Sequence, residues 1–513
     1  MRRERERQSV LREAVTGELV SLGLVASAEA IASWDVWPNH PCDVAVRVHG
    51  VAPDAPGSID SASSLICELQ VAGQYLNIRL RPETLVRLVT STSFELQPEN
   101  STDLRAAIEH TSLTPAYPIN LATFRSTAIG VALAGLLRTD GYDPTSYFWV
   151  EDEAAQMRLL HEAVNHVTTG TGATTEFPQG KPDHVLGRLL VQARHAMQGL
   201  VADEQMLSRM FPEAPDTPSG ALTGFTVVDP YTASEAVRTG STALARRCLS
   251  GFSDTFERAG VVAPQYVLGS VELHGERLTR AWDWQRSYER ESAAGPAYLT
   301  EAGGPSYLIR NVAWFDWLAE KADKVVVVAP ARQEAVVDRA LAIVRHGSPE
   351  RTQIVHVPFG DVLNGSGALD RPTEGRFTSV DGFLAQETDR LGWAPSAVAA
   401  SLRLFLLTRN PRDQIVVPDD DSVHASARTI HRLFTVENDG RDSARMLRAC
   451  KRLLDLGHVV DLATARLDPS LIVRELEALA RDAAVGCSSS VREAARRAVR
   501  CLLELLDFKT GVS

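Results

Sequence analysis

Six cysteines in 513 residues, Cys42, Cys67, Cys248, Cys450, Cys487 and Cys501, show no CxxC spacing. Neither a zinc knuckle nor a disulfide framework is written into such a set, so reduced structural thiols and no metal site are expected. A membrane-spanning or secretory start is also missing. The opening MRRERERQSV carries both signs of charge, and the next apolar stretch, Leu19 to Ala26, is too short to cross a bilayer. A soluble, cytoplasmic protein with no membrane partner is the expectation. Basic excess is absent as well: 53 Lys and Arg face 65 Asp and Glu, a net charge of -12. That balance repels phosphate except at a locally basic face, which removes DNA from the expected partners. A phosphate loop is lacking too, because in TTGTGATTEFPQGKP (168–182) Gly180 and Lys181 run into Pro182 and the upstream glycine falls at the wrong distance.

What is present is a chain 44% hydrophobic and 23% charged, enough for several cores and two to four domains. Residues 1–95 read as a small α/β module, with a polar helix from Arg3 to Leu22 and an alternating strand from Glu68 to Leu80. Arg81 and Pro82 then open a further helix. The polar stretch SFELQPENSTD marks a boundary. From Leu104 to about Val164 the pattern is βαβ: a strand near Ile108, the proline-punctuated loop ending at Pro118, a long apolar helix, and a second buried strand in GYDPTSYFWVED. Parallel strands joined this way predict a doubly wound sheet with its site at the carboxyl ends of the strands. Residues 165–265 read as a helical insertion, after which Lys324 to Val328 resumes the sheet. From 394 to 513 the pattern is helical. Within it Arg492, Arg496, Arg497 and Arg500 recur at helical spacing and are the candidate basic face for a tRNA.

Taken in order, IEHTSLTPAYPINLATFRSTAIGVALAGLLRTDGYDPTSYFWVEDEAAQM, SYLIRNVAWF, VVVVAPARQ, IVHVPFGDVL with RFTSVDGFL, and SLRLFLLTRNP resemble successive segments of arginyl-tRNA synthetases, class I enzymes. ELQVAGQYLNIRL resembles the N-terminal domain special to that family. The resemblance implies an N-terminal α/β domain at 1–95, a class I Rossmann-like catalytic domain at 104–393 and an all-α anticodon-binding-like domain at 394–513. It also implies arginine or arginyl-tRNA as a partner. On the same basis Glu109, Ser112, Thr114, Tyr307, Asn311 and Gln333 line the arginine pocket, and Asp152 and Gln156 fit the segment after the second strand. One carboxylate, a phenol and an amide oxygen suit the planar donor fork of a guanidinium.

The departures from the family lie in its two nucleotide motifs. Where the HIGH motif is expected stand Asn120, Leu121, Ala122 and Thr123, with neither the histidines nor the glycine. Where KMSKS is expected, GALDRPTEG (367–375) has no lysine and holds Asp370, Pro372 and Glu374. Losing one preorganised donor to a developing charge costs about 3 kcal/mol. The resulting expectation is an enzyme that takes an arginyl group already activated on tRNA and joins it to a second amino acid, as cyclodipeptide synthases do, with no cofactor. ATP and Mg enter only if ligase activity is retained. His110, Asn120 and Thr123 are the candidate catalytic residues, with His161 a further possible base. A non-catalytic arginine or tRNA sensor, a genuine arginine-tRNA ligase, and a ligase attaching arginine to a peptide or small molecule stay open beside that reading.

Overall fold

The computed structural model describes residues 10–36, 42–49, 63–92, 103–170, 179–215, 222, 225, 235–292, 307–348, 353–369, 377–436 and 442–508. It forms two compact units, Pro98–His424 on the one hand, and Met1–Gln97 with Ala425–Ser513 on the other.

The second of these begins with α1 (Val10–Ser21), then β1 (Ile31–Val36), β2 (Val44–Val48), β3 (Ile66–Ala72), β4 (Tyr75–Leu80) and α2 (Pro82–Ser91). The strands make an antiparallel sheet in the order β1-β2-β4-β3. The stretch expected as one strand from Glu68 to Leu80 is a hairpin. Gly73 takes φ 61 at its turn, a left-handed conformation that glycine adopts without strain.

In Pro98–His424 the strands β5 (Arg105–Glu109), β6 (Asp143–Val150), β7 (Gln265–Leu268), β8 (Lys324–Pro330) and β9 (Gln353–Phe359) form a parallel sheet ordered β7-β6-β5-β8-β9. The chain starts in the middle at β5, builds outward to β7, then returns across β5 to β8. Between β5 and β8 the strand order reverses, the place where such sheets open a crevice. The doubly wound reading therefore holds.

Helix α3 (Leu121–Thr139) is the β5 to β6 crossover. It is the one described helix long and apolar enough to cross a membrane, and it is a core helix, buried on nearly every side. Between β6 and β7 run α4 (Ala155–Gly170), α5 (Pro182–Met197), α6 (Glu204–Met210) and α7 (Glu235–Arg258), the expected insertion. Then come α8 (Gly269–Glu272), α9 (Glu276–Ser292), α10 (Tyr307–Lys321) and α11 (Glu334–Gly347). Successive side chains of β6 divide between two cores. Phe148 and Val150 pack with Phe124, Val131 and the insertion helices, while Trp149 packs with Val325, Val327 and the apolar face of α10.

After β9 a short parallel pair, β10 (Val362–Leu363) and β11 (Ile415–Val416), brackets α12 (Val380–Leu391) and α13 (Pro395–Leu406). Helix α13 falls in the segment expected to start the helical domain. Its Val398, Ala399, Leu402 and Leu406 are instead buried in the core of the sheet unit. Arg125 in α3 is fully buried and donates to the carbonyls of Gly360 (2.8 Å), Asp413 (2.6 Å) and Asn410 (3.2 Å), giving three loop carbonyls a charged partner.

The remaining helices α14 (Ala425–Thr435), α15 (Ser443–Leu454), α16 (Leu456–Arg466), α17 (Ser470–Ala484) and α18 (Ser489–Leu505) fold with the N-terminal module. Helix α2 packs on α15 and α18. Lys451 of α15 pairs at 2.5 Å with Asp43, whose other oxygen accepts the Leu80 amide at 2.6 Å. Both side chains are buried, so removing one strands the other's charge. Lys451→Met should lower the stability of this unit by about 3 kcal/mol, read as a lower melting temperature. An unchanged melting temperature would show that the pair does not join sheet and helices.

Candidate functional site

Glu109 ends β5 at the strand-order reversal, with 6% of its surface exposed. Burial pushes its carboxyl up to about 7, opposed by a hydrogen bond from Ser112. Among the described residues no cation pairs with it. Ser112 Oγ also accepts the Trp149 amide at 3.1 Å, which fixes the loop after β5 to the end of β6.

Near this carboxylate lies a stack of aromatic rings. Tyr307, the first residue of α10, stacks on Trp149 with ring centres 6.2 Å apart and planes at 14°, and Trp149 stacks in turn on Trp314. Desolvation pushes the Tyr307 hydroxyl up to about 12, and the charges of Glu109 and Glu151 add to the effect. Glu151, next after β6, is bonded by Thr114 and lies 2.9 Å from Arg310; burial raises its pKa and Arg310 lowers it. Two carboxylates thus share the site, one with an internal guanidinium beside it and one without. Asn311 Nδ2 donates to the Tyr307 carbonyl at 2.7 Å and so braces the start of α10. Gln333 is half-buried in the turn Ala331–Gln333 at the carboxyl end of β8. It makes no hydrogen bond among the described residues.

Of the pocket residues read from the sequence, Glu109, Ser112 and Tyr307 are joined through Trp149, and Thr114 through Glu151. Asn311 serves the backbone, and Gln333 shares the edge without touching the others. Trp149, Glu151 and Arg310 were not anticipated. A carboxylate directly following the second buried strand was the available signal for Glu151. Asp152, which the resemblance puts in the segment after the second strand, is fully buried and accepts from Thr242 Oγ1 (2.7 Å) and from the amide (3.0 Å) and hydroxyl of Ser270, which ties β6 to α8.

The candidate catalytic groups are corrected by their surroundings. His110 points to the other side of the strand from Glu109 and is fully buried, with its Nδ1 2.5 Å from Thr111 Oγ1. Its ring fills the space a side chain at Gly130 would need, a Cβ there lying 2.4 Å from it. Burial holds it down to about 3, so it is a neutral packing residue and no base at neutral pH. Asn120 caps α3, its Oδ1 accepting the Thr123 amide at 2.8 Å. Thr123 takes part through that amide and through its carbonyl, which accepts from Thr127 Oγ1. His161 Nε2 bonds Asn165 at 2.9 Å, and its ring packs on Gly240. Asp370, Pro372 and Glu374 lie outside the described residues.

The four arginines of α18 do not form one free face. Arg492 is buried and donates to the Cys487 carbonyl at 3.1 Å, and Arg496 donates to the Leu433 and Phe434 carbonyls at 3.0 and 3.3 Å. These carbonyls end α14 and need donors from elsewhere. Arg500 lies over the Phe434 ring at 5.2 Å, and Arg497 is exposed.

The fold matches that of solved arginyl-tRNA synthetases. The Thermus thermophilus arginyl-tRNA synthetase superposes with a TM-score of 0.64 over 97% of this chain and 98% of its own, at 18% identity. The Plasmodium falciparum arginyl-tRNA synthetase gives 0.59 over 87% and 86%, at 11% identity. In sequence, the chain is similar to the arginine–tRNA ligases of Methanothrix thermoacetophila, 23% identical over 365 residues, and Methanosphaerula palustris, 23% over 348. These matches cover 67% and 63% of this chain, and the chain spans 58% and 57% of the length of those relatives. No family model matches.

A carboxyl titrating near 7 when folded and 4.5 when unfolded makes stability fall as pH rises from 4.5 to 7. The loss at Glu109 amounts to roughly 3 kcal/mol above pH 7. Glu109→Gln should therefore melt higher than the parent at pH 8 and equally at pH 4.5. Calorimetry that shows no such pH-dependent gain would mean the carboxylate is not held desolvated.

Proposed function

We propose that this chain recognises arginine, free or as an arginyl group, and acts on it in aminoacyl-tRNA chemistry. The observation that carries this reading is Glu109, a buried carboxylate without a cation beside the Tyr307 and Trp149 rings. A guanidinium supplies the missing charge, presents donors in a plane to the carboxylate, and offers its face to the aromatic rings. Ser112 orients the carboxylate, Gln333 supplies an unengaged amide, and Thr114 with Glu151 and Arg310 closes the side of the pocket.

The reaction that the relatives' name favours is the joining of arginine to tRNA. In it ATP is a substrate and Mg neutralises its phosphates. The residues around the start of α3 offer little to such a triphosphate. The Leu121 amide bonds the Thr378 carbonyl at 3.2 Å and the Thr123 amide bonds Asn120, so the helix start has few free donors. No cationic side chain occurs from 118 to 124, and Arg125 is occupied by loop carbonyls. The start of α3 does not fit a triphosphate.

That same observation favours a second reading, amide formation between an arginyl ester of tRNA and a second amino acid. The ester is already activated, so the protein's tasks are to hold the guanidinium, exclude water and place the amine. A cytoplasmic setting, where arginyl-tRNA is found, belongs to both readings.

Incubation with tRNA, arginine and ATP, and separately with arginyl-tRNA and mixed amino acids, separates the two. Arginine-dependent pyrophosphate exchange is the expected result for the ligase; arginine-containing dipeptides without ATP are expected for the transferase. Arginine binding with neither product would make the chain a sensor. No binding of arginine, with Glu109→Gln indistinguishable from the parent, would overturn the reading.

A further inference from the structure

A second buried charge cluster joins the insertion helices to α12. Lys181 and Asp183 are buried at the start of α5, His184 follows them, Thr255 is buried in α7, and Asp381 is the second residue of α12. Asp381 Oδ2 accepts from Lys181 Nζ (2.8 Å), Thr255 Oγ1 (2.9 Å) and His184 Nε2 (3.0 Å). Lys181 also donates to Asp183 Oδ2 at 3.1 Å and to Thr255 at 2.6 Å. Arg258 lies 3.5 Å from the other oxygen of Asp381. The donors of Asp183, His184 and Asp381 come within 4.8 Å of one another, close enough for a metal ion. The Lys181 ammonium, however, bonds both carboxylates and is itself the cation of the cluster.

The sequence next to Asp381 leads to the site. Ser379 caps α12, its Oγ accepting the Gly382 amide at 3.1 Å, and its backbone bridges Asn120. On either side, Val380 donates to the Ile119 carbonyl at 2.8 Å and Leu121 to the Thr378 carbonyl at 3.2 Å. The start of α12 is thus held by buried charges on one side and is hydrogen-bonded on the other to the turn that begins α3.

We propose that Lys181 and Asp381 are positioning residues: through the start of α12 they set the turn at 119–123, so that the insertion helices govern how the loop after β5 enters α3. The coupling does not depend on the proposed function. Burial opposes the charge on Asp381, but the hydrogen bond from His184 and the charge of Lys181 keep its pKa well below the ordinary carboxylate range. Asp381 therefore stays ionised across the working pH range. Neither residue has a contact with Glu109, which separates positioning from arginine binding.

Hydrogen exchange read by mass spectrometry on the full chain tests the coupling, with arginine titration calorimetry beside it. In Lys181→Met, exchange in peptides spanning 117–124 and 378–384 should accelerate about tenfold, while peptides of β8 exchange as in the parent and the arginine dissociation constant is unchanged. Thr255→Val, which removes one hydroxyl from the cluster at nearly constant volume, should give a smaller acceleration in the same peptides and decides the matter if Lys181→Met does not fold. Acceleration confined to 181–188 and 251–258, with 117–124 as in the parent, overturns the proposal. A parent protein that binds no arginine overturns the Glu109 reading instead, and the exchange pattern still decides the coupling.

Discussion

Burying the Glu109 carboxylate at the carboxyl end of the central strand works against folding, because an ionised group loses its water there and no cation replaces it. Only a well-packed surrounding holds a charge in such a place. Strand β5 is paired on both sides, by β6 and by β8, and its inner residues Ala106, Ala107 and Ile108 are buried. The loop that follows is pinned through Ser112 to β6, and Tyr307 is stacked on Trp149. A ligand with a delocalised positive charge relieves the strain that the apo site carries, and the same desolvation that destabilises the empty site strengthens the pair when it forms.

The contrast between the two carboxylates of the site gives it direction. Glu151 has Arg310 beside it and so has less to gain from an incoming cation, whereas Glu109 has none among the described residues. The guanidinium of a ligand is thereby drawn to the strand end and away from the pocket's side. On the proposed reading, the internal Arg310 resembles chemically what the pocket would receive, and its fixed position discourages a second cation at Glu151. At the other end of the site, the start of α3 is committed to structure: its amides go to Asn120 and Thr378, and its nearest arginine serves three carbonyls. On the proposed reading, recognition of arginine and its activation are thus unequally provided for.

Much of this was legible in the sequence where the relevant interactions are local or periodic. The βαβ run from Ile108 to Val150 was readable because apolar runs of strand and helix length alternate around clear turns, whereas Glu109 was singled out only through the family resemblance. Its neighbour His110 was misjudged, since adjacent strand residues face opposite ways and only the three-dimensional packing shows Gly130 waiting for the ring. The hairpin at Gly73 was missed because alternation continues with the same period on both sides of its turn. The grouping of the N-terminal module with α14 to α18 depends on contacts such as Lys451 to Asp43, which no local pattern announces. Arg492 and Arg496 looked like a basic face by spacing, yet their partners are carbonyls from other turns.

The ionisation of Glu109 itself tests the account most directly. Carbon-13 NMR of the side-chain carboxyl, followed against pH with and without saturating arginine, reads it at one atom. The account predicts a midpoint of about 7 in the free protein, falling to below the ordinary 4.5 once arginine is bound. A midpoint already near 4.5 without ligand, or one that arginine leaves in place, would contradict it.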